Sequence, residues 1–219
     1  MRVSEVFQVQ FPHARFVTVD TGLATQSRTS YSCQTLAVRH QTDKQKMNRK
    51  TIFLLIGQKG SGKSFIGTLF DKEFGIKFIR VEDWAKQIKK DRNVDDKEYL
   101  KQVFEEIEKG VRDSLTDNSQ IVFESTGLTG YFDKMLVNLI RDYQVITIGI
   151  FADSAICLER VKSRDQKIHI NISDDQVLTI NEKVRERKFD TDFSIINEDK
   201  SEKELINEIG ILVGQTIEK

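Results

Sequence analysis

Residues 51–64, Thr-Ile-Phe-Leu-Leu-Ile-Gly-Gln-Lys-Gly-Ser-Gly-Lys-Ser, join an unbroken apolar run to a glycine-rich loop. Ile52 to Ile56 form a short hydrophobic stretch of the kind a strand buried on both faces presents. Gly57, Gly62, Lys63 and Ser64 then fill every fixed position of the phosphate-loop pattern G-x-x-x-x-G-K-[ST]. Glycines allow the backbone to turn several N–H groups inward, and a following helix adds the positive end of its dipole. Lys63 would reach the β- and γ-phosphates of a nucleotide, and Ser64 would offer its hydroxyl to Mg²⁺. The candidate nucleotide site is the run Gly57, Gln58, Lys59, Gly60, Ser61, Gly62, Lys63, Ser64 and Phe65. Apolar periodicity resumes at once after it, so the loop sits between a strand and a helix, where the mechanism requires it.

Working outward, strand and helix patterns alternate. Strands are expected at 51–56, 76–81, 120–124, 144–151 and 193–196, and helices at 63–73, 154–164, up to about Lys188, and near the C-terminus. Tyr99, Leu100, Val103, Phe104, Ile107, Val111 and Leu115 mark one face of a long charged helical region. Phe132, Met135, Leu136, Leu139 and Ile140 mark another. Such alternation argues for parallel β/α units with helices on both faces of the sheet.

Composition narrows the function. Lys plus Arg and Asp plus Glu both number 34 in 219 residues, which disfavours a globally basic nucleic-acid binder. No apolar run reaches the roughly 18–20 residues that cross a bilayer. Cys33 and Cys157 lack metal-ligand spacing, and His13, His40 and His169 form no cluster. A soluble, cytoplasmic protein is expected, as a monomer or homodimer. Composition changes near Met47: beyond it lysine outnumbers arginine 19 to 9, whereas before it arginine leads and no period is sustained. Residues 1–46 are expected to be an N-terminal extension, disordered or not native to the domain, with a short regulatory or dimerising arm as the alternative. The domain itself is expected at 47–219.

Phosphoryl transfer needs more than a cradle: a carboxylate near the metal, positive charge over the transferring group and a positioned acceptor. Glu124 ends the strand Gln120–Glu124, at the carboxyl edge where parallel sheets meet ligands, and is the candidate metal-supporting carboxylate or base. Ser125 and Thr126 beside it suit a turn. Glu82 and Asp83 follow the second strand; either could orient an acceptor hydroxyl, and Asp83 could equally cap the next helix. Trp84 suits the core. Arg160 and Arg164, four residues apart, precede a polar loop at 165–172, and Arg185 and Arg187 follow it. An arginine-flanked loop can close over a nucleotide and expel water, so a lid is expected at about 160–176.

From about Lys50 to Lys219 the chain resembles the P-loop small-molecule kinases, the group of shikimate kinase, gluconate kinase and the nucleoside monophosphate kinases. The resemblance rests on GQKGSGKS, RVED, IVFE, FADSAICLERVKSRD and VRERKFDTDFSIIN. It implies a three-layer α/β P-loop NTPase fold with a five-stranded parallel sheet in the order 2-3-1-4-5 and Mg-ATP as donor. Arg160 or Arg164 would then be the lid arginine and Arg185 the substrate-facing one. At the end of the third strand Glu124-Ser125-Thr126-Gly127 stands where shikimate kinases carry a glycine-rich triplet, and no motif names the acceptor. The function expected is transfer of the γ-phosphate of ATP to a small-molecule acceptor. The alternative is a nucleotide-gated switch or ATPase module acting on a macromolecular partner.

Overall fold

The structure is a computed structural model that describes residues 49–89, 96–164 and 173–217. The extension 1–46, with Cys33, His13 and His40, and the loop 165–172, with His169, lie outside the described residues.

Five parallel strands make one sheet: β1 (Thr51–Gly57), β2 (Lys77–Ile79), β3 (Gln120–Ser125), β4 (Gln144–Phe151) and β5 (Phe193–Ile196). Their order is β2-β3-β1-β4-β5, the order the kinase resemblance implies. The unbroken apolar run explains why β1 is central: all seven of its residues are buried, with helices on either face. It pairs with β3 through Leu55 opposite Glu124, and with β4 through Leu55 opposite Ile148.

Helices α1 (Lys63–Phe74) and α7 (Glu202–Ile217) cover one face. There Phe53, Leu55 and Ile148 pack against Ile66, Phe70 and Ile209. Helices α2 (Val81–Lys89), α3 (Lys97–Asp117) and α4 (Gly130–Asp142) cover the other. Ile52, Leu54 and Phe123 meet Val103, Ile107 and Leu139 on that side. The α3 stripe Tyr99, Val103, Ile107, Val111 and Leu115 is buried at helical spacing, and Asp96 starts the helix by accepting from Tyr99 N at 2.8 Å. Trp84 of α2 docks over Gly110 of α3, where an added Cβ would lie 2.2 Å from the indole. Two further helices, α5 (Ser154–Lys162) and α6 (Asp174–Arg187), flank the undescribed loop. Ser173 and Gln176 close a reciprocal capping box at the start of α6. Asp192 fixes the entry to β5, accepting from Thr147 N and Thr147 Oγ1 at 2.8 Å each.

Two of the boundaries that differ from the sequence expectation move candidate residues. The second strand stops at Ile79 and Val81 already opens α2, so Glu82 and Asp83 stand in the first turn of a helix. Helix α5 ends at Lys162 with Ser163 as its cap, so Arg164 lies beyond it and does not share a helical face with Arg160.

Candidate active site

Strand β1 delivers the loop to the carboxyl edge of the sheet. Gly60 and Gly62 both take left-handed backbone conformations, at φ 88° and 95°. A Cβ on Gly60 would meet the Cys157 carbonyl oxygen at 2.0 Å, and one on Gly62 would meet Asn197 Nδ2 at 2.0 Å. Glycine is thus required there by both dihedral and space. Gly62 is also the N-cap of α1 and supplies no side-chain cap, which leaves the first-turn N–H groups directed toward an anion.

Lys63 is buried, and its ammonium donates to the carbonyls of Gly57 at 2.9 Å and Gln58 at 2.7 Å. Burial pushes its pKa down to about 8, with Glu124 opposing and Lys59 and Arg164 adding to the shift. Burial also lowers Lys59, against the pull of Glu82. Ser64 Oγ donates to Glu124 Oε1 at 2.7 Å, so the hydroxyl and the carboxylate expected at a metal are already in contact. Ser61 Oγ is buried without a hydrogen-bond partner among the described residues.

The loop is braced from far along the chain. Asn181 of α6, 2% exposed, accepts from Lys59 N at 2.7 Å and donates to Lys59 O at 3.0 Å. Asn197, just past β5, donates to Ser61 O at 2.9 Å. The sequence reading passed over both asparagines. Position alone could have flagged Asn197, since it follows a strand at the edge where ligands bind.

Two cavities open beside the loop. One, of about 140 Å³, is lined by Lys63, Ser64, Glu82, Glu124 and Arg164 among others. The second, of about 190 Å³, runs inward between α2, α3 and β3 and is walled by Val103, Phe104, Ile107 and Phe123. Lys59, Val81, Glu82, Glu124, Ser125 and Thr126 line both, so the two adjoin. Ser125 also fills its expected turn role, accepting from Gly127 N at 3.1 Å.

The other candidates fall elsewhere. Asp83 is exposed and pairs with Arg80 at 3.9 Å, outside both linings. Arg160 donates to the carbonyls of Asn197 at 2.8 Å and Glu198 at 2.9 Å, and only Arg164 lines the phosphate-side cavity. Arg185 lines a separate cavity of about 480 Å³ with Gly57, Gln58, Phe151 and Phe189. Its neighbour Arg187 instead lies over the rings of Phe132 and Phe189, 5.8 and 5.3 Å from their centres, and bonds Gly127 O and Asp133. Phe65 is 44% exposed at the start of α1. Cys157 is buried under the loop, and Trp84 is half-buried in the α2–α3 packing.

Comparison with known proteins now adds the family. A family model described as an AAA domain matches residues 52–187. The chain belongs to this family. Its fold is that of P-loop small-molecule kinases. A gluconokinase from Sinorhizobium meliloti 1021 aligns over 78% of this chain and 95% of its own, with a TM-score of 0.56 at 14% identity. An APS kinase from Mycobacterium tuberculosis, solved in complex with AMPPNP and APS, aligns over 76% and 98%, at 0.52 and 14%. A shikimate kinase from Acinetobacter baumannii in complex with shikimate aligns over 80% and 99%, at 0.52 and 14%. At such identities the likeness is one of fold. No curated protein matches the chain. Among the described residues no helix is long and apolar enough to cross a membrane.

Proposed function

We propose that the chain transfers the γ-phosphate of ATP to a hydroxyl or phosphate of a small molecule. One observation carries this reading: the phosphate-side cavity adjoins a second chamber with which it shares six lining residues. A phosphotransferase needs such a compartment for its acceptor, whereas hydrolysis needs only water.

The loop suits a nucleotide triphosphate. Gly60 and Gly62 leave room for backbone approach, and the buried Ser61 hydroxyl is a donor in want of an acceptor. Lys63 would exchange its two carbonyl partners for phosphate oxygens, and Arg164 would add charge from the lid side. Ser64 and Glu124 would hold Mg²⁺, directly or through water. That ion would neutralise charge developing on the phosphates. Glu82 lines both cavities and is better placed than Asp83 to receive the acceptor proton. The protein's task is then positioning and electrostatics, with the reacting groups held in line.

ADP release from Mg-ATP against a panel of nucleosides, nucleoside monophosphates, sugars and sugar acids tests this, with Lys63→Ala beside it. The expected outcome is one acceptor class that raises the rate in the wild type and fails to do so in a folded Lys63→Ala. A basal rate that no small molecule raises would refute the reading and favour an ATPase module with a macromolecular partner.

A further inference from the structure

We infer that the acceptor is a neutral, single-ring-sized molecule with an apolar body and a short hydroxyl-bearing arm; this rests on the phosphotransferase reading above. The inner chamber carries the argument. Ala85, Val103, Ile107, Phe123 and Met135 are all buried, and with Phe104 they give it an apolar wall drawn from α2, α3, β3 and α4. Among the described residues, its polar side chains are those it shares with the phosphate-side cavity, Lys59, Glu82, Glu124, Ser125 and Thr126. Inward of that shared mouth, the described side chains a ligand meets are apolar, the thioether of Met135 among them.

Charge points the same way. Two carboxylates, Glu82 and Glu124, stand at the mouth. Among the described residues, the cations lining the two cavities are Lys59, Lys63 and Arg164; Lys63 and Arg164 line only the phosphate-side cavity. An acid of several hydroxyls would have to pass Glu82 and then leave its own polar groups unpaired against the apolar wall, which is costly away from water. A ring with an apolar face loses nothing there and removes its surface from water.

Size completes the description. The chamber holds about 190 Å³. A closed apolar cavity of about 150 Å³ accepts benzene, so this space suits one ring with a one- or two-atom arm. The arm places its hydroxyl at Glu82. In the transfer step the hydroxyl oxygen bonds the γ-phosphorus as the bond from that phosphorus to the β–γ bridging oxygen breaks. ADP leaves with the bonding electrons, and the hydroxyl proton passes to the Glu82 carboxylate.

The test uses the full chain with Mg-AMPPNP and benzyl alcohol as a minimal probe, followed by ligand-observed NMR. Gluconate and shikimate serve as anionic comparators, both in binding and in ADP release from Mg-ATP. Benzyl alcohol is expected to bind the wild type, with an affinity loss of about tenfold or more in Val103→Phe, the scale of a steric misfit in an apolar pocket. Ala85→Leu narrows the chamber from the facing helix and replaces Val103→Phe if that variant no longer binds Mg-AMPPNP. Failure of benzyl alcohol to bind the wild type, or equal binding to the filled variants, overturns the inference. Gluconate or shikimate raising ADP release also overturns it, while leaving the phosphotransferase reading standing. A wild-type chain that binds no Mg-nucleotide removes both.

Discussion

Replacing Asn181 with leucine should loosen the phosphate loop without touching it. The side chain is 2% exposed and spans Lys59 with one accepted bond of 2.7 Å and one donated bond of 3.0 Å. Leucine, with the same branched heavy-atom skeleton, removes both bonds and leaves the Lys59 N–H and C=O without their partner. A stranded buried polar group costs about 1–3 kcal/mol. The added apolar contact of leucine returns about 1 kcal/mol. Since Lys59 sits at a cavity rim where water relieves part of the loss, the net destabilisation should be about 1–3 kcal/mol. For a chain of this length that corresponds to a melting temperature lower by about 3–10 °C. Nucleotide binding should suffer too, because the loop must be ordered at the moment of binding instead of beforehand, and each 1.4 kcal/mol spent so weakens affinity about tenfold. Thermal melts of wild type, Asn181→Leu and the exposed neighbour Glu182→Ala, each with and without Mg-ATP, measure both effects. Glu182→Ala should stay within about 0.5 kcal/mol of wild type. An Asn181→Leu chain that melts with the wild type and shows an undiminished ATP-induced shift would refute the bracing argument.

Two further predictions concern charge and packing. The folded chain holds Lys63 at about 8 against an ordinary 10.5 because of burial. Between those pH values the unfolded state keeps a proton the folded state has lost, so stability should rise with pH across the window, by about 3 kcal/mol in all. Urea titrations from pH 7 to 10.5 should show that rise in wild type and not in Lys63→Met; parallel profiles would contradict it. Gly110→Ala should destabilise, since its Cβ would lie 2.2 Å from Trp84 and overpacking costs about 1–3 kcal/mol. Gly214→Ala, in α7 with nothing within 4 Å, should instead stabilise by about 0.5–1 kcal/mol. The same pair of melts decides both: if the two variants shift alike, helix propensity and not the Trp84 contact sets the outcome.

The loop and the central strand could be read from the sequence because everything they need is contiguous. Ile52 to Ile56 announce burial, and the spacing of Gly57, Gly62, Lys63 and Ser64 carries its chemistry within eight residues. Glu124 was accessible by a second local rule, the carboxyl end of an apolar strand, and its bond to Ser64 agrees with that placement. What was hidden depends on phase or on distance. Stopping β2 at Ile79 converts an alternating strand end into a helical turn. Successive residues then diverge by about 100° instead of 180°. Glu82 lines the cavities while Asp83 turns to Arg80. Ending α5 at Lys162 likewise breaks the four-residue spacing that seemed to unite Arg160 with Arg164. Asn181 and Asn197 lie 122 and 136 residues from the carbonyls they bind, and no local pattern encodes such contacts.

The side-chain contacts to backbone carbonyls around the loop share a logic. Arg160 holds the carbonyls of Asn197 and Glu198, Asn197 holds Ser61, Arg187 holds Gly127, and Lys63 holds Gly57 and Gln58. Their acceptors lie at or just beyond the carboxyl ends of β1, β3 and β5, so side-chain donors tie the rim of the sheet together around the loop. Of these three cations only Lys63 also lines the phosphate-side cavity. A phosphate entering there competes with two neutral carbonyls for a buried ammonium. It would win because it sets a full negative charge against the ammonium, an ion pair in place of a bond to a neutral dipole. Arg160 and Arg187 can keep their partners while Lys63 changes its own. The rim would then stay fixed, and the reorganisation that nucleotide binding would demand of these cations would be confined to one side chain.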